Sequence, residues 1–261
     1  MKAFILLLAL VAASLPAAAD QWNKTYQVGN NAALHVDTND ASIEVTRGNT
    51  NTIVARVVAD GMTIGNSGVR ITEHQDSGKV DLQVKVPNSW GVHFNFHRGV
   101  QVIVQVPQQC ALDLHSGDGH VNVQGIAGEA RLDTGDGAIT VQDYNGSLRA
   151  HTGDGHITAD GVFTDLELRT GDGHVDLKVR PGSHIASSWL IHTSDGGVEA
   201  RLPQDLAAEL YAHTGDGHIQ LDVPVMVNGS IDRSRIRGKL NGGGPLLEIT
   251  TGDGSIRVSK F

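Results

Sequence analysis

The stretch Leu148-Arg149-Ala150-His151-Thr152-Gly153-Asp154-Gly155-His156-Ile157-Thr158-Ala159 decides the fold. Leu148 and Ala150 alternate with polar residues before the tetrapeptide, and Ile157 and Ala159 alternate with them after it. Alternation with period two on both sides reads as two short, half-buried strands. The apolar positions are even-numbered before the tetrapeptide and odd-numbered after it. A single uninterrupted strand cannot do that, because a one-residue shift turns every side chain to the other face. Thr152-Gly153-Asp154-Gly155 is therefore expected to be a corner or bulge that returns the apolar residues to one side. Glycine there is expected to supply positive φ, and Asp154 to bond nearby backbone amides.

The same unit recurs outward in both directions. The tetrapeptide stands at Ser116–Gly119, Thr134–Gly137, Thr152–Gly155, Thr170–Gly173, Thr214–Gly217 and Thr251–Gly254, with a variant at Thr193-Ser194-Asp195-Gly196 and a weaker copy at Thr38-Asn39-Asp40-Ala41. From Ser116 to Thr170 the spacing is 18, 18 and 18 residues, then 23, 21 and 37. A fixed short period is the signature of a repeat architecture. Eighteen residues suit one coil of two strands and two turns. The fold predicted is all-β: a right-handed parallel β-solenoid, β-helix-like, with two short strands per rung of about 18 residues. A run of antiparallel hairpins with the tetrapeptides at their tips is the alternative. Stacked rungs bury what one rung cannot bury alone.

Around Gly48 to Pro107 the period is lost. Ile53–Val58, Val69–His74, Val80–Val86 and Val100–Val106 read as longer strands, and Asp76-Ser77-Gly78-Lys79 as a hairpin turn. This region is expected to be an N-terminal β cap or insertion. Trp90, Phe94 and Phe96 fall in a loop-like stretch within it and are candidates for a binding loop. Helix is scarce, and only Leu206 to Tyr211 reads as a possible turn of one.

The N-terminus has the form of a secretory signal peptide: Lys2, an apolar run Ala3 to Ala13, Pro16, and Ala17-Ala18-Ala19 as a cleavage site. The organisation predicted is a signal peptide at 1–19, an N-terminal β region at 20–107, and a repeat solenoid at 108–261 continuous with it. The apolar run is shorter than the roughly 20 residues that a lasting membrane helix needs, so the exported chain is expected to carry no transmembrane anchor. Its address is expected to be periplasm, cell surface or medium. Without Lys2 the chain has 19 basic and 29 acidic residues, a net charge of −10. On composition, such a chain with no evident basic cluster argues against nucleic acid and against anionic membrane surfaces. Cys110 is the only cysteine, so no internal disulfide can form.

These residues carry a resemblance. The signal peptide, Leu34-His35-Val36-Asp37-Thr38 with Ile43-Glu44-Val45, Val100-Gln101-Val102-Ile103-Val104-Gln105-Val106-Pro107 leading to Leu112-Asp113-Leu114-His115-Ser116-Gly117-Asp118-Gly119, and the later rungs make the chain similar to a bacterial β-strand-repeat domain family of unknown function, to which an adhesin label is commonly attached. The resemblance implies a β-helix-like fold and an envelope or secreted location. It implies no activity and no site residues, and fold does not fix function.

Histidine gathers at the corners: His115, His120, His151, His156, His174, His192, His213 and His218 stand one before or four after the tetrapeptide's first residue. With Asp118, Asp136, Asp154, Asp172, Asp195, Asp216 and Asp253 they would form columns along one edge. An enzyme needs one constellation whose members are set apart by their environments. A set that recurs on every rung singles out no copy, so no catalytic residue and no cofactor is predicted. Calcium wants 6–8 oxygen ligands and zinc takes imidazole nitrogen. The metal candidates are accordingly Asp118, Asp136, Asp154, Asp172, Asp216, His151, His156, His213 and His218. Stacked carboxylates beside imidazoles also predict stability that depends on pH across the histidine range. The function expected is a non-catalytic scaffold or adhesin-like binding surface for a glycan or envelope protein. The alternative is a metal-binding or polysaccharide-acting protein using the Asp/His edge.

Overall fold

The computed structural model describes residues 19–29, 31–49, 51–87, 99–227 and 232–260. The described residues form twenty-one β-strands and no helix, joined in one continuous sheet that folds into two faces around a core of aliphatic side chains. The expected signal peptide and the aromatic candidates Trp90, Phe94 and Phe96 lie outside the described residues.

On the first face, the strands that precede each tetrapeptide pair in parallel and in register. Ala111–Ser116, Ala127–Thr134, and the second halves of Ile139–Thr152 and Ile157–Thr170 follow one another with partners 18 residues apart, as at Leu114↔Leu132↔Ala150↔Leu168. On the second face Val121–Gln124, the first halves of the same two long strands, and Val175–Val179 do likewise, as at Val121↔Ile139↔Ile157↔Val175. Inward residues are buried on both faces, and outward residues are polar. Tyr144, Phe163 and Trp189 fill the core beside the second bend of successive rungs: Tyr144 stacks on Phe163 at 6.2 Å, and Phe163 meets the edge of Trp189 at 6.5 Å. Trp189 donates its indole N–H to the Thr164 carbonyl at 3.1 Å, so no polar atom is stranded by burial.

Spatial order departs from chain order at both ends. Ala33–Thr38 and Ser42–Arg47 are not the outermost rung. Lys79–Lys85 and Gly99–Val106 pair outside them, followed on one face by antiparallel Arg70–Asp76 and on the other by antiparallel Thr52–Asp60 and then Asp20–Gln27. At the far end Leu246–Thr251 and Ile256–Lys260 sit between Ser188–Thr193/Val198–Leu202 and Ala208–Thr214/Ile219–Asp222. The last rung of the chain is thus lodged between two earlier ones. Arg235–Leu240 then closes the first face antiparallel to Ala208–Thr214, with Met226–Val227 beyond it.

Two expectations need correction. Leu206 to Tyr211 is not a turn of helix. Ala208–Thr214 is a strand that buries Ala208, Leu210, Ala212 and Thr214, so pairing on two sides overrides a helix-favouring composition. The tetrapeptide glycines do not have positive φ. They are required for a different reason, close approach between rungs. A Cβ on Gly155 would stand 2.0 Å from the Gly137 carbonyl oxygen, and one on Gly173 1.8 Å from that of Gly155. Positive φ is found instead at Ser77 and Gly78 in the Asp76–Lys79 hairpin turn and at second-bend residues such as Gly146.

Candidate functional site: a charged face on stacked rungs

The corner itself is built from the threonine. Thr38, Ser116, Thr134, Thr152, Thr170, Thr193, Thr251 and Thr214 form a column in that spatial order, each at most 4 % exposed. Thr152 Oγ1 donates to the Gly137 carbonyl of the preceding rung at 2.9 Å and accepts from its own Gly155 N–H at 3.2 Å. Thr170 repeats this with Gly155 and Gly173, Thr214 with Gly254 and Gly217, and Thr251 with Gly196 and Gly254. The hydroxyl therefore ties its own corner and the neighbouring rung together. Among the described residues no buried side-chain polar atom is left without a partner.

Asp118, Asp136, Asp154, Asp172 and Asp216 project from these corners and are exposed. The histidines four after the corner bind across rungs. His120 Nδ1 accepts from the Ala138 N–H and His156 Nδ1 from the His174 N–H, both at 2.9 Å, while His218 Nδ1 meets Ser255 Oγ at 2.9 Å. His151 and His213 stand instead on the outer surface of the first face, with His213 Nδ1 3.0 Å from the Ser234 carbonyl. The candidates are thus divided among corner, edge and face. Among the described residues no group of three or more His, Cys, Asp or Glu gathers as a metal ion requires.

What the stacking does assemble is a charged face. Register places Asp113, Arg131, Arg149 and Glu167 in one outward column, and His115, Asp133, His151 and Arg169 in the next. Arg131 Nε lies 2.8 Å from Asp133, whose hydrogen bond and charge hold the guanidinium above its ordinary pKa. Glu167 is shared by Arg149 at 3.7 Å and Arg169 at 2.9 Å. Arg131, Asp133, Arg149, His151, Glu167 and Arg169 line an open groove of about 440 Å³. The opposite face, nearer the N-terminal end of the stack, is polar and amide-rich, with Glu44, Thr46, Asn122, Gln124, Thr140 and Gln142 around a smaller groove. Cys110 is buried, and burial pushes its thiol up to about 12, so it is a packing residue with little thiolate at neutral pH.

Sequence reasoning did not single out the arginines, although their 18-residue spacing marks Arg131 and Arg149 as stacked. It also missed Arg233-Ser234-Arg235-Ile236-Arg237-Gly238-Lys239, whose period-two basic residues are a cluster that the overall acidity conceals. The exclusion based on an absent basic cluster therefore fails at this strand.

The family model that matches is described as Toastrack DUF4097, and it matches twice, over residues 31–178 and 110–259. The chain belongs to this family. Its two overlapping matches span the rungs on both sides of the charged groove. No curated protein matches the chain. Among solved structures it is similar to a proposed cell adhesion protein from Clostridium sporogenes, at 12 % identity and TM-score 0.44, covering 92 % of this chain and 100 % of that one. It is also similar to a proposed lipid binding protein from Parabacteroides distasonis, at 12 % identity and TM-score 0.45, covering 92 % and 97 %. A proposed adhesin from Parabacteroides merdae matches at 12 % identity and TM-score 0.41, covering 92 % and 97 %. Among the described residues no helix is long and apolar enough to cross a membrane.

Proposed function

We propose that this Toastrack chain is an exported, non-catalytic scaffold whose first face binds an extended polar partner, a glycan or an envelope protein. The observation that carries the reading is the open groove around Arg149, Glu167 and Arg169, which runs across three stacked strands. Two arginines share one carboxylate there, so the guanidinium N–H groups left over face solvent in a planar, bidentate-capable array. Such an array suits hydroxyl and carboxylate groups spaced along a polymer. Nothing at the groove sets one acid apart from one base, which hydrolysis of a glycosidic bond requires. A regular solenoid face offers length of contact in place of depth.

The test is a glycan array, with chemical cross-linking to envelope extract in parallel, using the wild-type chain and Arg149→Ala/Arg169→Ala. Binding that falls at least about tenfold in the double variant, the loss of one or two charge-assisted contacts, is the expected result. Shortening of a bound polysaccharide on incubation, or stoichiometric metal in the purified protein by elemental analysis, would replace this reading with the Asp/His-edge alternative.

A further inference from the structure

The two ends of the stack differ in kind. At the N-terminal end the outermost strands, Asp20–Gln27 and Arg70–Asp76, carry charges of both signs, with Glu73 tied to both Lys24 and Tyr26, and the apolar residues Trp22, Met62, Ile64 and Ile71 there are all partly buried. At the C-terminal end Ile219, Leu221, Val223 and Val225 are only partly buried against the core, and Met226, 66 % exposed, is the most exposed large hydrophobic residue among those described. The strand that borders this apolar end is Arg235–Leu240. Its inward residues Ile236, Gly238 and Leu240 are buried, while Arg235 and Arg237 are exposed and Lys239 partly so, with exposed Arg233 just before them.

Register fixes which side chains share the surface. Met226, Lys239, Glu209 and Leu246 form one outward row, with Leu246 38 % exposed. Arg237, Tyr211 and Glu248 form the next row, and Arg235, His213 and Thr250 the third. Arg237 lies over the Tyr211 ring at 5.2 Å. None of Arg233, Arg235, Arg237 and Lys239 has a carboxylate partner, whereas most arginines on the rungs do. Glu209 and Glu248 lie one and two strands inward and Asp232 in the turn, so the outermost rim is cationic. An apolar end with a cationic rim is the pattern of side chains that lodge at a headgroup boundary while basic groups meet anionic lipids.

We infer that the C-terminal end of the solenoid docks onto an anionic phospholipid surface, with Met226 and the neighbouring valines at the acyl boundary and Arg233, Arg235, Arg237 and Lys239 on the headgroups. A second copy fits the same end poorly. Its own C-terminal end would bring cations against cations, and its N-terminal end is edged by strands of mixed charge, with Lys24 and Arg70 beside Glu73 and Asp76, so the cationic strand finds no matching anionic row there. The contact goes beyond the polar-partner reading, lies at a different place from the Arg149 groove, and leaves that groove free.

The test is co-sedimentation of the chain beginning at Asp20 with large vesicles of phosphatidylcholine alone or with about one-third phosphatidylglycerol, at low and high salt. Partitioning onto the anionic vesicles is expected, weakening with salt. The Arg233→Gln/Arg235→Gln/Arg237→Gln/Lys239→Gln variant should lower it about 1,000-fold. The matching variant with lysine at the three arginine positions should retain it, which separates charge from misfolding. Met226→Ser should lower vesicle partitioning several-fold and leave heparin binding unchanged, while Arg149→Ala/Arg169→Ala should have no effect on vesicles. No partitioning, equal partitioning onto both vesicles, or a Met226→Ser variant that binds vesicles like wild type would overturn the inference. The last outcome, combined with tight binding to heparin or duplex DNA, would assign the strand to a soluble polyanion.

Discussion

At the Thr152 corner the buried hydroxyl donates to the Gly137 carbonyl of the rung before it and accepts from the Gly155 N–H of its own rung. Thr152→Val keeps the shape and leaves both groups unpaired, so it should cost about 1–3 kcal/mol in urea unfolding. Asp154→Ala, at an exposed position two residues on, should stay within about 0.5 kcal/mol. Gly155→Ala should cost about 3 kcal/mol or fail to fold, because its Cβ meets the Gly137 carbonyl and the rung must move to admit it. The contrast separates a corner from a ligand site: if Asp154→Ala were the costly change, with Thr152→Val neutral, the carboxylates would be holding something. The sequence showed that the tetrapeptide is a corner, through the parity change across it. It did not show why glycine is needed, since clash with a neighbouring rung leaves no local mark on the chain.

Among elements, the 18-residue stretches between Ser116 and Thr170 were legible because each strand pairs with the next one in sequence at constant offset. Ala208–Thr214 was not. Its two alanines and its leucine favour helix locally, and its register partners lie 22 or more residues further along the chain. The charged groove was half legible, since the period places Arg131 beside Arg149, while Glu167 as a shared partner depends on side-chain reach. A second set of contacts ties the bends. Arg180 binds Asp143 and, through Nε at 2.5 Å, Asp160, which Lys178 also approaches at 3.4 Å. Burial raises the Asp160 pKa, but hydrogen bonds and charge from Arg180 and Lys178 outweigh it and hold the carboxyl below its ordinary value. A lowered folded pKa means stability that is full above about pH 4 and is lost as pH falls below it. Glu73, held low by its hydrogen bonds to Lys24 and Tyr26, acts in the same direction at the N-terminal end. Urea midpoints should therefore drop from pH 5 to pH 2, and Arg180→Ala should flatten that drop while lowering the plateau. A midpoint that rises on acidification would contradict both assignments.

Over the whole molecule, both proposed surfaces depend on the order in which rungs stack. The row Arg237, Tyr211, Glu248 exists only because Leu246–Thr251 is lodged beside Ala208–Thr214. That placement also makes the chain's last rung a central one. Removing residues 244–261 would take away the shared partner of two rungs on each face, so the truncated chain should lose cooperative unfolding rather than merely fray. Spacings of 23, 21 and 37 residues signalled irregularity here, but non-local pairing has no local signature from which the order follows. Disulfide trapping reads that order directly, and the native thiol of Cys110 is buried and out of reach. His192 and Thr250 are register partners whose side chains touch at 2.9 Å, and His213 lies on the far side of Thr250. Adjacent strands bring Cα atoms within the 4.4–6.8 Å that a disulfide spans, and next-but-one strands do not. Under mild oxidation His192→Cys/Thr250→Cys should cross-link within the chain and His192→Cys/His213→Cys should not. Efficient cross-linking of the second pair without the first would mean that the rungs follow chain order, and the rim and rows described here would not exist.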